Sequence, residues 1–317
     1  MRAHEPEDPP SDAPFGLRWR GGSVIAPASM TSLAQIQLDP RARGPVLEFT
    51  ADMTGSTRTR MAVTDVVEGL RLFRLSVVLG WLDIRLRYRG SILGPFWLTL
   101  STAIMVGALG FLYAALFKMQ LHDYLPYLAL SLILWNFLAA LVSEGCASFT
   151  EAETMIRSIR MPYVLYALRV AVRNVIVLAH NIVVIVGVFL ILRIAPGATA
   201  LLALPGLLLW AIDGLAVILL LGAFCARFRD IPPIVASVMQ LAFFLSPIIW
   251  KPELFGAHAH LLPLNPFFAL FEIVRGPLLG EIPSAYTVVS ALLYSALLCA
   301  LSWSLFVRVR GRLAFWV

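Results

Sequence analysis

The amino-acid sequence predicts an all-α integral membrane protein of six spans, with an interfacial amphipathic helix before the first span and a re-entrant helical segment before the last. Three observations predict it. Of 317 residues, 59% are hydrophobic and 14% charged, against roughly 45–50% and 25% in soluble domains, so most of the surface must face lipid. The apolar residues come in blocks of about the twenty that a hydrocarbon layer of ~30 Å requires. The charge between blocks is asymmetric and is carried by arginine, since the only lysines are Lys118 and Lys251.

Residues 1–60 are rich in Pro, Gly, Ser, Thr and charge and lack the apolar core of a signal peptide. They predict a disordered tail, ahead of a polytopic membrane domain over 61–317. Met61 opens the first sustained helical pattern. Over residues 65–89, Arg71, Arg74, Arg85 and Arg89 fall within one helical arc of about 60°, with Leu70, Phe73, Val77, Trp81 and Ile84 on the other sides, as in a helix lying on a membrane surface. Asp83 and Arg87 are spaced to pair within that helix, and Gly80 weakens its middle. A hinge at Gly94-Pro95 then turns the chain into the first span.

The predicted spans are 93–117, 124–145, 170–192, 201–225, 234–250 and 287–306. Residues 261–280 are apolar but broken by Pro263, Pro266 and Pro277. Asn265 suits an N-cap with Pro266 at the first helical position, and Gly276-Pro277 suits a stop. A short helix over 266–275 follows, dipping into the outer leaflet or lying flat on it. With the tail inside, the inner segments hold fourteen arginines between Arg71 and Arg312, against Lys118, Arg193, Lys251 and Arg275 outside. The positive-inside rule therefore puts both termini in the cytoplasm. His180 and Asp213 are equidistant from the outer turn at Pro196-Gly197, which predicts a buried pair at one depth, with Asn181 as the other available partner.

Several chemistries are excluded. The basic balance beside apolar blocks points to anionic lipid and not to nucleic acid. Cys146, Cys225 and Cys299 are isolated within or beside apolar blocks and behave as small hydrophobes. Lys118 follows Phe117 and Lys251 follows Trp250, so no lysine stands in a phosphate-binding G-x-x-x-x-G-K-[ST] loop and any ATP hydrolysis must occur on another chain. No acidic cluster, HExxH or G-x-S-x-G supplies a metal or a nucleophile, so the chain itself is expected to be neither an enzyme nor a holder of metal or cofactor.

Four segments carry a resemblance. In WLDIRLRYRGSILGPFW, residues 81–97, the positions Arg87, Tyr88, Arg89, Ser91, Leu93, Gly94 and Trp97 resemble the arginine-rich lead-in to the first span of the permease subunits of ABC transporters that export polysaccharides, such as O-antigen, capsule and teichoic acid exporters. The segment EAETMIRSIRMPYVLYALR, residues 151–169, is similar to the family's ATPase-docking loop, with Glu153, Met155, Ile156, Arg157, Arg160 and Pro162 in the matching places. RFRDIPPI, residues 227–234, and LNPFFALFEIVR, residues 264–275, match the cytoplasmic turn after the fourth span and the re-entrant segment.

The resemblance implies a homodimer that pairs with two ATP-binding cassette subunits, which hold the ATP and Mg. It implies export of a polyprenyl- or lipid-linked polysaccharide across the bacterial inner membrane, as in lipopolysaccharide biosynthesis. Arg71, Arg74, Arg85 and Arg89 are then contacts for a phosphate headgroup, or anchors to anionic lipid. Thr99, Thr102, Tyr113 and Phe117 on one face of the first span, and Gln240 and Phe244 on the fifth, offer hydroxyls and rings for a sugar path, core packing being the plainer reading of each. The rivals are an ion- or proton-coupled secondary transporter, using Glu144, His180, Asp213 and Glu272, and a membrane-embedded transferase acting on polyprenyl lipid.

Overall fold

In the computed structural model of the chain, residues 18–20, 23–25, 55–91, 94 and 96–317 are described. The chain divides into two units, Met1–Met53 and Thr54–Val317. In the first, strands β1 (Arg18–Arg20) and β2 (Ser23–Ile25) pair antiparallel, Trp19 opposite Val24. The expected disordered tail otherwise lies largely outside the described residues, and helix already begins at Gly55, six residues ahead of Met61.

The second unit is helical. Its elements are α1 (Gly55–Arg71), α2 (Phe73–Arg87), α3 (Phe96–Leu116), α4 (Leu121–Ala147), α5 (Glu153–Ser158) and α6 (Tyr163–Ile191). They continue with α7 (Ala203–Arg227), α8 (Ile231–Leu245), α9 (Pro266–Leu278), α10 (Ala285–Val309) and α11 (Leu313–Trp316). Among the described residues five helices are long and apolar enough to cross a membrane: α3, α4, α6, α7 with its lead-in from Ala198, and α10 with its continuation to Trp316.

The predicted fifth span, 234–250, needs correction. Its helix ends at Leu245 after 15 residues, about 22 Å at 1.5 Å per residue and short of the ~30 Å layer. Proline at 247 disfavours helical backbone at Ser246, whose ψ of 145° is extended. The chain continues as an irregular segment whose carbonyls are taken up by the N-terminal part of α4. Tyr124 donates to Ile249 O, and the Tyr127 hydroxyl lies 2.6 Å from Pro247 O and 2.9 Å from Trp250 O. Non-helical backbone at membrane depth is tolerated only with such protein partners.

The segment before α10 is bent. A 3-10 stretch, Pro252–Leu264, meets α9 at 106°. Asn265 caps α9 as its sequence predicts, accepting from Phe267 N at 2.9 Å and Phe268 N at 3.4 Å. Gly276-Pro277 does not stop it, and helix runs to Leu278. Pro277 removes only one N–H from the last turn, and the Ile273 carbonyl so freed faces Gly206, where an added Cβ would come within 2.9 Å of it. Phe268, Phe271, Val274 and Arg275 are buried, so α9 is held inside the protein and does not lie flat on its surface. Trp135 of α4 packs its ring 5.6–6.0 Å from Phe243, Phe267 and Phe271, and the Trp210 indole of α7 donates to Leu270 O at 2.8 Å.

Gly80 does not break α2. Its missing side chain lets α2 lie on α6, where an added Cβ would stand 3.1 Å from Arg169 O, and the helix break falls earlier, at Leu72. The basic residues Lys118 and Arg193 close α3 and α6 with left-handed φ of 54° and 55°. The next amides, Met119 and Ile194, donate back to Ala114 O and Phe189 O at 2.9 and 2.8 Å. Each is a Schellman cap with a cation at the negative end of a helix dipole.

Candidate functional site

Charged side chains gather at the two ends of the bundle. At the arginine-rich end, α2, α4 and α6 meet around Arg173, a residue 5% exposed. Its guanidinium reaches Glu144 at 2.8 Å, Asp83 at 3.4 Å and Glu151 at 3.6 Å. Arg169, one turn earlier on α6, donates to Asp83 at 2.7 Å, Asn174 donates to Glu144 at 2.7 Å, and Arg87 reaches Glu144 at 3.2 Å. Asp83 and Arg87 are therefore not paired with each other. Packed spans offer both side chains closer partners than their own helix does.

At the same end, Asp65 is fully buried. It accepts the Val164 N–H at 3.1 Å, satisfying an orphan amide in the first turn of α6, and Arg310 at 2.7 Å. It joins α1, α6 and the end of α10. Arg157 of α5 pairs with Glu153 at 2.9 Å and donates to Val317 O at 2.6 Å. Met155 and Ile156 are half-buried against the protein's own core, whereas Ile159 is 52% exposed. Arg160 is exposed and makes no hydrogen bond or ion pair among the described residues. Pro162 is the N-cap residue of α6 and not its first helical residue. The apolar side chains of α5 are thus spent internally, leaving Ile159 and Arg160 outward.

Other predicted residues are placed as follows. Arg71, Arg74, Arg85 and Arg89 are all exposed along α1, α2 and the turn after it, beside exposed Phe73, Val77 and Trp81. Gly94 takes φ 54°, a left-handed value suited to glycine at a turn, while Pro95 lies outside the described residues. Thr99 is buried and donates to His180 O at 3.3 Å, Thr102 is half-buried, and Tyr113 stacks on Phe117 at 5.6 Å. That face of α3 packs on neighbouring helices. Gln240 and Phe244 on α8 are exposed.

The pairing of His180 with Asp213 is not made. His180 Nδ1 lies 2.7 Å from Ile176 O in its own helix, and Asp213 accepts from Ser295 of α10 at 2.6 Å. Helix α7 turns its acid towards α10. Asn181 does not take the acid either: among the described residues Asp213 accepts only from Ser295, and its other carboxylate oxygen has no partner.

At the other end Arg275, 1% exposed, ties the re-entrant segment to α4. One terminal nitrogen contacts Tyr127 Oη at 2.9 Å, Ser131 Oγ at 2.9 Å and Pro247 O at 2.6 Å, while the other reaches Glu272 at 2.6 Å. Its guanidinium also stacks 4.4 Å over the Tyr127 ring. Sequence reasoning counted Arg275 only as an outer charge; an arginine three residues after Glu272 in an apolar helix was the available signal.

Glu281 stands nearby. Desolvation by burial, with the neighbouring carboxylates of Glu272 and Glu253, raises its pKa above the ordinary 4.5, partly offset by Arg275 and Lys251. A raised carboxyl pKa penalises the fold only where the group is ionised: the penalty is absent below pH 4.5 and full above the raised value. Glu281→Gln should therefore raise the melting temperature at pH 7, with the gain vanishing near pH 4 (thermal unfolding in detergent measures both). An equal gain at both pH values would refute the assignment.

Apart from Asp213, the charge of the bundle sits towards its ends with apolar helix between, which defines a polytopic membrane protein. Within that class the chain belongs to the ABC-2 type transporter family, which residues 74–279 match. It is similar to the O-antigen export system permease protein RfbA of Myxococcus xanthus, 24% identical over 195 residues, covering 59% of this chain and 74% of that one. It is also similar to an O-antigen export system permease protein RfbA of Klebsiella pneumoniae, 22% identical over 184 residues, covering 58% and 71%.

Proposed function

We propose that this chain is the membrane subunit of an ATP-driven exporter that carries a lipid-linked polysaccharide across the bacterial cytoplasmic membrane. The observation that carries the reading is its membership of the ABC-2 type transporter family together with its similarity to O-antigen export permeases. Two copies pair with two separate ATP-binding cassette subunits, which hold ATP and Mg. The arginine-rich end, with α1, α5 and the end of α10 joined through Asp65 and Arg157, faces the cytoplasm, so both termini do. The exposed arginines of α1 and α2 lie against anionic headgroups, of membrane lipid or of the lipid-linked substrate. Against a secondary transporter, Glu144 and Glu272 are both held by arginines, and Asp213 by Ser295. Deleting the gene should remove the surface polysaccharide and leave lipid-linked polymer inside the cell; unchanged surface polymer would overturn the reading.

The ATPase docks on the outward side of α5. Ile159→Asp with Arg160→Glu should lower ATPase co-purification by about tenfold, the effect of losing one apolar anchor and one rim charge. The melting temperature should hold, since neither side chain is buried. Undiminished co-purification would move the docking site elsewhere. Arg157→Glu is a poorer probe, because it also breaks the contact with Val317.

A further inference from the structure

Between the outer end of α4 and the bent segment lies a cavity of about 300 Å³, at the lower end of the roughly 300–1,000 Å³ of small-molecule sites. Its charged lining includes Asp123, Glu253, Glu272, Glu281, Lys251 and Arg275. Glu272 is committed to Arg275, and Asp123 lies 3.2 Å from the His122 ring. The other groups are not committed. Among the described residues the carboxylates of Glu253 and Glu281 accept no hydrogen bond and form no ion pair, and the Lys251 ammonium rests only on the Tyr127 ring, 5.6 Å from its centroid. Arg275, buried in the cavity wall, has an Nε–H without an acceptor. An orphaned buried donor beside a polar cavity calls for an oxygen that the protein does not supply.

These groups select a ligand. Four carboxylates against two cations repel an anion. A metal ion is disfavoured, because among the described residues no three His, Cys, Asp or Glu side chains are grouped to hold one. What remains is a ligand whose groups donate and accept at once, as hydroxyls do: they can give to Glu253 and Glu281 while accepting from Lys251 and Arg275.

We infer that this cavity is a binding site for one neutral, hydroxyl-rich sugar unit at the outer end of the protein, and that it discriminates against acidic sugars. The sugar assignment rests on the exporter reading above; the preference for neutral over acidic ligands rests on the cavity itself. The site would grip a unit of the polymer as it leaves, so the outer end would contribute to which polymers are exported.

The test uses the whole chain in lipid nanodiscs, since glycoside detergents would compete. Saturation-transfer NMR is recorded with D-glucose and with D-glucuronate, which differ in one carboxylate. Glucose should bind and glucuronate should bind about tenfold more weakly, the effect of placing like charges together. Glu253→Gln with Glu281→Gln, which leaves the Arg275 contacts intact, should close that gap while the melting temperature holds or rises. No glucose signal, or equal binding of the two sugars by the parent, overturns the site. If surface polysaccharide is lost on gene deletion while glucose fails to bind, the site falls and the exporter reading stands. If glucose binds with the expected preference while deletion leaves surface polymer unchanged, the site stands and the exporter reading falls.

Discussion

Arg275→Met is expected to destabilise the protein by about 3–5 kcal/mol, the range for removing one partner from a buried charged cluster. The wild-type side chain answers four oxygens at 2.6–2.9 Å and covers the Tyr127 ring. Methionine fills similar volume, so lost packing is a small part of the cost. The Glu272 carboxylate would be left without its cation at a half-buried site, and the Pro247 carbonyl would keep only the Tyr127 hydroxyl. That carbonyl belongs to the irregular stretch that follows α8, so the loss should reach beyond the side chain to the path of the backbone. Arg275→Lys should recover only part of the stability, because a compact ammonium cannot reproduce a planar fork that answers acceptors on two sides. Thermal unfolding in detergent of parent, Lys and Met variants should give that order. A methionine variant as stable as the parent would show that the cluster does not hold the bend.

What the sequence revealed divides by the range of the interaction. Asn265-Pro266 gave the start of α9 correctly because a cap is settled within three residues. Five of the six apolar blocks likewise fall on helices long and apolar enough to cross a membrane, each being set by its own composition. Reading failed where partners come from other helices. Asp83 and Arg87 have ideal spacing for each other, yet Arg169 and Glu144, 86 and 57 positions further along the chain, take them instead. Gly80 reads as a weak point by propensity alone; in the fold its lack of a side chain lets α2 close on α6. The turn between α6 and α7 carries no record of the direction in which His180 and Asp213 face. The segment expected to dock the ATPase lies at the arginine-rich end, but which of its apolar residues stay exposed depended on core packing no local pattern records. Arg173 went unnoticed because one arginine among fourteen inner ones carries no mark of its own. A paired signal was present, since Arg169 and Arg173 lie four apart on one face of α6 and Glu144 is an acid near the same end of an otherwise apolar span.

Arg173→Met is the second variant expected to have a large effect, and here stability and function should separate. The expected loss is about 3 kcal/mol, the lower edge of the buried-pair range, because Arg169 still holds Asp83 and Arg87 still holds Glu144. Glu144→Gln should cost less than Arg173→Met, since its amide keeps an oxygen for Asn174 and Arg173 keeps Asp83. The double variant should cost less than the sum of the two, because both remove the same 2.8 Å contact. Exact additivity would mean that Arg173 and Glu144 act independently. The functional consequence follows from where the cluster lies: it joins helix α2 to α4 and α6, the helices on either side of α5. On the docking proposed above, force delivered at Ile159 and Arg160 would pass to α2 through helices that Arg173 ties together. The variant should therefore still co-purify with its ATPase, while polysaccharide export per folded molecule falls well below the parent's. Export that tracks the amount of folded protein would reduce Arg173 to a packing residue and leave the route from ATPase to spans to be sought in Asp65 and the end of α10.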